Sequence, residues 1–164
     1  MPVELESERL RLRAWREDDL AFLERLYASD TSGYVGGPMT VADTWRRIAL
    51  FIGHWMLRGF GNWVLEEKAT GRAVGYAGLW QPHGWPEPEI MWALSPEVRG
   101  RGLATEAARR ARDYAFADLG WKAAVSYINA ANTASRRVAE RLGANLDPSA
   151  RSPGGHQVWR HGPS

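Results

Sequence analysis

The sequence predicts an α/β (α+β) fold, a mixed sheet with helices on both faces. Three observations predict it. Apolar residues recur with period 2 in short runs and with period 3.6 in longer ones, and the two kinds of run interleave along the chain. Residues 62–67 and 72–80 are two strand-like runs joined by a turn at Ala69-Thr70-Gly71, a hairpin that makes part of the sheet antiparallel. Residues 89–128 read strand, helix, strand, which requires a right-handed parallel crossover.

Each element follows from its own pattern. In Arg9-Leu10-Arg11-Leu12-Arg13-Ala14 the leucines fall on one face and the arginines on the other, predicting a strand half exposed to water. Residues 17–29 switch to helix, with Leu20, Leu23, Leu26 and Tyr27 on one stripe. Thr40-Val41-Ala42-Asp43 resembles a capping box. Val41, Trp45, Ile48, Ile52 and Trp55 follow it as the apolar stripe of a second helix ending near Gly59, with Trp55 in the core. After the hairpin, residues 81–88 form a proline-rich loop into the strand at 89–94. A helix over 107–119 stops at Gly120, and a strand over 123–128 follows. A helix over 133–142 is closed by Gly143, and residues 157–160 supply a last strand.

Composition limits the possibilities. At 164 residues and 18.4 kDa the chain, residues 1–164, is expected to form a single domain. A net charge of +2, with both signs mixed along the chain, is too small to suggest non-specific nucleic-acid binding, although a pI near 9.2 keeps that question open. Cysteine is absent, which excludes disulfides, thiolate metal sites and a cysteine nucleophile. His54, His83, His156 and His161 lack metal-ligand spacing and read as surface residues, so no metal is expected. No Gly-x-Ser-x-Gly elbow is visible. The segment Met1-Pro2-Val3-Glu4 lacks signal-peptide character and no apolar run reaches membrane-spanning length; a cytoplasmic protein, monomer or homodimer, is expected. Most of the nine tryptophans should be core.

The most informative stretch is Ser95-Pro96-Glu97-Val98-Arg99-Gly100-Arg101-Gly102-Leu103-Ala104-Thr105-Glu106. It lies where a strand hands over to a helix, where backbone N–H groups are unpaired and the helix dipole favours negative charge. Glycines permit close backbone approach and two arginines supply charge-assisted hydrogen bonds. A phosphorylated ligand is implied. A Walker loop is absent, and the dinucleotide fingerprint fails because Thr105 stands where its third glycine belongs.

Arg99-Gly100-Arg101-Gly102-Leu103-Ala104 is instead similar to Arg/Gln-x-x-Gly-x-Gly/Ala, the acyl-CoA pyrophosphate loop of the GNAT superfamily of N-acetyltransferases. Trp92 in the strand, Ser95-Pro96, Ala104-Thr105-Glu106-Ala107, Asn132-x-x-Ser135, Leu142-Gly143 and the early Ser7-Glu8-Arg9-Leu10-Arg11-Leu12-Arg13 all resemble the branch near the RimJ/RimL ribosomal-protein acetyltransferases. The resemblance spans nearly the whole chain. It implies a GNAT-type, mostly antiparallel sheet whose central parallel pair splays apart, with acetyl-CoA as acyl-donor cosubstrate entering the gap.

Carried over to this sequence, the resemblance implies that Trp92, Ala93 and Leu94 present backbone to the pantetheine arm. Arg99, Gly100, Arg101, Gly102, Leu103, Ala104 and Thr105 wrap the pyrophosphate, Asn132 binds pantetheine, and Ser135 lies near the sulfur. Asn132 is equally suited to capping the following helix. Many relatives carry a tyrosine where this chain has Ala139, which leaves Ser135 as candidate acid or the thiolate unassisted. A ribosomal alanine acetyltransferase carries its glutamate base where this chain has Tyr127.

The chemistry is amine attack on a thioester, so an ammonium must first lose a proton. Loss from an α-amine is roughly 3.4 kcal/mol easier than from lysine at neutral pH. A carboxylate facing the gap is the natural base; Glu89 is the first choice, Glu87 the second, with Tyr127 or water as alternatives. Tyr34, Trp80, His83, Trp85 and Glu87 are candidate substrate contacts in an acceptor pocket formed by the early helices and the 81–88 loop. The acceptor would be a protein N-terminus or a small amine. The competing function is a catalytically silent acyl-CoA sensor. Arg109, Arg110 and Arg112 read as a solvated helix face, with Glu106 pairing Arg110.

Overall fold

A computed structural model describes residues 2–163. The strands are β1 (Leu5–Glu6), β2 (Leu10–Arg13), β3 (Asn62–Glu67), β4 (Arg72–Trp80), β5 (Glu89–Leu94), β6 (Ala124–Ile128), β7 (Asn145–Asp147) and β8 (Gln157–His161). They form one sheet in the order β1-β2-β3-β4-β5-β6-β8-β7. Every neighbouring pair is antiparallel except β5 and β6. The helices are α1 (Leu20–Tyr27), α2 (Val41–Arg58), α3 (Leu103–Asp113) and α4 (Thr133–Arg141).

Period-2 alternation sends side chains to two layers. Trp63, Leu65, Ala77, Leu79 and Leu94 pack with Ala107, Ala108 and Ala111 of α3. Val64, Tyr76 and Ala93 pack on the other face with Leu23, Leu26 and Tyr27 of α1 and Ile48 and Phe51 of α2. Helices therefore cover both faces, as the pattern predicts.

Several expectations need correction. The helix of the crossover begins at Leu103, four residues earlier than the apolar stripe indicated, and ends in a π-helical turn over Tyr114–Asp118. Helix α2 is capped by Thr40, whose side chain accepts from the Asp43 amide at 3.1 Å. Its buried stripe, however, is Thr44, Ile48, Phe51 and Trp55, while Val41, Trp45 and Ile52 are exposed. Two apolar stripes run along this helix, and periodicity alone does not say which one faces the sheet.

Charged side chains assigned to water are partly interior. Arg13 is buried, bidentate to Asp19 at 2.8 and 2.9 Å and bonded to Glu66 at 2.7 Å. Arg112 is buried and donates to the Leu142 carbonyl at 2.8 Å. Glu106 turns from Arg110 to Ser7 and Arg9, accepting from the Ser7 hydroxyl and from the Arg9 amide and Nε at 2.7 Å each. His54 and His161 are buried too. His54 receives the Gln81 amide at Nε2, 3.0 Å, and donates from Nδ1 to the Phe60 carbonyl, 2.8 Å; burial holds its pKa below the ordinary value. No helix among the described residues is long and apolar enough to cross a membrane.

Candidate active site

β5 and β6 share one rung, Glu89 opposite Val125. Beyond it the ladder stops and Ser126 substitutes for it, donating from Oγ to the Ile90 carbonyl at 2.6 Å. That commits the single hydroxyl proton, so the 2.8 Å contact with His161 is donated by Nε2–H. His161 Nδ1 is buried without a partner, and burial followed by repulsion from Arg112 pushes this histidine down to about 4. β5 stays paired with β4 through Leu94, so only the β6 side of its later residues is open. An open strand edge inside a sheet is a place for another extended chain.

Two cavities meet at this gap. The first, about 420 Å³, is lined by Ala93, Leu94, Val98, Arg99, Gly100, Gly102, Leu103, Ala104, Thr105 and residues of α4. Gly100 and Gly102 have φ of +76° and +80°, and a Cβ on either would meet little. Glycine is needed here for the left-handed backbone, not for space. Gly102 is the N-cap of α3 and makes no side-chain cap, leaving the first N–H groups without an intrahelical partner. Thr105 Oγ1 is buried with no hydrogen bond. Arg99 lines the cavity and donates to Thr31 Oγ1 and to the Leu94 carbonyl. Arg101 does not line it; its guanidinium pairs with Glu67. Arg9 Nη1 braces the loop by donating to the Arg101 carbonyl at 2.8 Å.

The second cavity, about 400 Å³, has aromatic walls from Tyr34, Trp80, Trp85 and Trp92, with Glu89 and Arg47 as its only carboxylate and its only arginine or lysine among the described residues. Glu89 is buried, and its Oε2 accepts from the Trp85 indole at 2.9 Å. Burial pushes the carboxyl up to about 7; the Trp85 N–H and the Tyr127 backbone amide oppose that rise. Burial also pushes the Tyr127 phenol above its ordinary value, which makes it the weaker candidate base at neutral pH.

Five residues, Tyr34, Val35, Trp92, Asn132 and Ser135, line both cavities. Asn132 caps α4, accepting the Ser135 amide at 3.1 Å. Trp92 is half-buried, and its indole donates to Ser135 Oγ at 3.2 Å. Of the residues singled out from sequence, Glu87 and His83 are not brought to the site. Glu87 is held bidentate by Arg160 at 2.7 and 3.1 Å, and His83 is exposed on its loop. Ala139 is fully buried beside Ile128, Ala144 and Trp159. Sequence reading missed Arg137 and Arg141, which line the first cavity from α4, and Arg47 in the second. For the α4 pair the signal was available, since residues 137 and 141 are four apart and share a helix face.

The sheet is thus split between its two parallel strands, with a glycine-bent helix N-terminus beside the split. The chain belongs to the acetyltransferase (GNAT) domain family, which it matches over residues 9–145. It is similar to the acetyltransferase from Agrobacterium tumefaciens, at 34% identity over 98% of this chain and 95% of that one, with a TM-score of 0.92. The Bacillus subtilis protein YkkB is 29% identical over 91% of this chain and 89% of its own. RimL, a ribosomal alpha-N-protein acetyltransferase solved in complex with coenzyme A, shares the fold at 18% identity, with a TM-score of 0.74 and 98% of each chain covered.

Proposed function

We propose that this protein transfers an acetyl group from acetyl-CoA to a primary amine by direct attack within a ternary complex. The observation that carries the reading is the junction: two cavities of different character share Trp92, Asn132 and Ser135, with one buried carboxyl, Glu89, on the second side. Acetyl-CoA supplies a thioester carbonyl as electrophile; an N–C bond forms, a C–S bond breaks, and of the two protons the ammonium loses one ends on the thiol and one in solvent.

The residues present fit such a donor. The uncapped start of α3 and the orphaned Thr105 hydroxyl match the hydrogen-bonding needs of a pyrophosphate. Arg99, Arg137 and Arg141 add positive charge on the same cavity. Arg101 contributes only backbone, because Glu67 holds its side chain. The open edge of β5 at Trp92, Ala93 and Leu94 suits the amide-bearing pantetheine arm.

Glu89 takes the ammonium proton. A carboxyl near 7 is poised for this at neutral pH, since a base works best when its pKa lies near the operating pH. The Trp92 indole occupies one lone pair of Ser135 Oγ and leaves the hydroxyl proton free to be donated to the departing sulfur. The Trp92 backbone N–H, on the open side of β5, offers charge stabilisation for the carbonyl oxygen, whereas the Ala93 backbone is turned into the β4 ladder. Ala139 lies in the core and supplies no acid.

Calorimetric titration with acetyl-CoA, with ATP as control, tests the donor. Release of free CoA with a panel of amines then separates an enzyme from a silent sensor. Micromolar acetyl-CoA binding with amine-dependent thiol release supports the reading. Binding without release for any amine establishes the sensor, and no binding at millimolar concentration overturns both.

A further inference from the structure

Arg47 has no role in the chemistry just described. It sits half-buried on α2, and it lines the aromatic cavity together with Glu89. Its carbon centre lies 5.9 Å from the Tyr27 ring centroid and 6.0 Å from that of Phe51. Two aromatic faces at this range hold a cation in place without satisfying its hydrogen bonds. Across from them, a Cβ on Gly36 would stand 3.2 Å from Arg47 Nη2, so the loop bearing Tyr34 packs against the guanidinium.

What Arg47 lacks is a carboxylate. Its neighbour Arg46 pairs with Asp43 at 2.8 Å, and Arg13, also near the sheet, is paired twice. Arg47 makes no ion pair and no hydrogen bond among the described residues. A guanidinium carries five N–H donors in a planar fork, cannot give up its charge, and matches a carboxylate in bidentate geometry. Here that fork is positioned by aromatic rings on a cavity wall and left open to whatever enters.

We propose that the acceptor is an amine that also carries a carboxylate, a free amino acid with an apolar side chain, and that Arg47 is the residue selecting it. The cavity then has a complementary feature for each part of such a molecule. Glu89 faces the amine, Arg47 the carboxylate, and Trp80 and Trp85 the apolar body. A polyamine would bring a second positive charge toward Arg47, and a peptide N-terminus would present a neutral amide where the carboxylate belongs. The proposal rests on the reading of the chain as an amine acetyltransferase.

The test uses three amines of one shape: L-phenylalanine, L-phenylalaninamide and phenethylamine. Initial rates of CoA release are measured for each with the wild-type protein and with Arg47→Gln and Arg47→Lys. The wild type is expected to prefer phenylalanine over its amide by on the order of 10–100-fold in kcat/KM, the worth of a hydrogen-bonded charge pair. The preference should appear in KM, because the carboxylate is held equally before and during the reaction. In Arg47→Gln the ratio of phenylalanine to amide should fall toward unity, with Arg47→Lys between. Reading the ratio within each variant cancels any general loss of folded protein. If the wild type acetylates the amide or phenethylamine as well as phenylalanine, or if the ratio survives Arg47→Gln, the proposal is overturned while the transferase reading stands. If acetyl-CoA binds and none of the three amines is acetylated, the proposal is likewise overturned. Failure to bind acetyl-CoA at all would remove the transferase reading beneath it.

Discussion

The two cavities that meet at Trp92 are built from different materials. The cavity beside α3 is made largely of backbone: an uncapped helix start, two residues at positive φ and an open strand edge. The cavity beside Glu89 is made of side chains drawn from α2, the loop before α2, the end of β4, the 81–88 loop, β5 and β6. A backbone-built site tolerates change in most side chains but depends on a few glycines. A side-chain-built site concentrates its chemistry in one or two groups whose environment has been tuned. The two should therefore respond oppositely to substitution.

The largest effect belongs to Glu89. Glu89→Gln should lower kcat by about 10²–10⁴-fold, the usual worth of a positioned base, while acetyl-CoA affinity measured by calorimetry stays within error. The wild-type rate should rise with pH through an apparent pKa of about 7, and that rise should vanish in the variant. An unchanged rate would break the assignment of the base and leave the donor cavity untouched.

The same carboxyl and His161 make a sharper test, because burial displaces them in opposite directions. Glu89 is raised from an ordinary 4.5 to about 7, so its contribution to stability is full below about pH 4.5 and is lost as pH rises through 7. His161 is lowered from 6.5 to about 4, so its contribution is full above about pH 6.5 and is lost as pH falls through 4. Between pH 4.5 and 6.5 each gives a slope of roughly 1.4 kcal/mol per pH unit, with opposite sign. The two should nearly cancel in the wild type. Urea unfolding across this window should show stability that, relative to the wild type, rises with pH in Glu89→Gln and falls with pH in His161→Gln, by about 2–3 kcal/mol overall. At pH 8 the Glu89→Gln protein should also be more stable than the wild type.

On the backbone-built side, Arg99→Ala should weaken acetyl-CoA binding by about 10–100-fold, the range for a hydrogen bond to a charged group. Arg101→Ala should leave binding unchanged, because Glu67 holds its half-exposed side chain away from the cavity. Equal losses in the two would mean that Arg101 leaves Glu67 when the donor binds. The smallest loss of turnover is expected for Trp92→Phe, which removes the donor to Ser135 Oγ. A loss of about 2–10-fold in kcat follows from one neutral hydrogen bond, and Ser135→Ala in the same background should then cost less than it does alone.

The difference in material also explains what the sequence could reveal. Gly100 and Gly102 lie two apart in one short stretch, and a backbone conformation that only glycine adopts easily leaves its mark in the linear order. The helices, the hairpin and the crossover were legible for the same reason, since each is a local pattern. Arg47 was not legible, because Phe51 lies one turn along the same helix but Tyr27 and Gly36, which fix the guanidinium from the other sides, come from two other segments. Glu87 and Glu89 look alike in sequence, and tertiary contacts distinguish them: Arg160, far along the chain, holds Glu87, while Glu89 is buried against Trp85 and Tyr127. The exposed stripe of α2 and the buried Arg13, Arg112 and His161 fall in the same class. Periodicity locates a face, but tertiary pairing decides which charges that face can bury.

The single rung between Glu89 and Val125 has one more consequence. The sheet is two ladders, β1 through β5 and β6 with β8 and β7, joined at one backbone pairing, at the Ser126 hydroxyl and at the Glu89 carboxyl, which accepts from the Tyr127 amide. Backbone amides in β6 and β8 can therefore open to solvent without unzipping β2 to β5. In deuterated water they should exchange as a separate group, faster than the amides of β3 and β4. A molecule occupying the split would supply the missing continuity between the ladders. Its binding energy would then slow exchange far from its own contacts, so the second ladder reports occupancy of the first cavity.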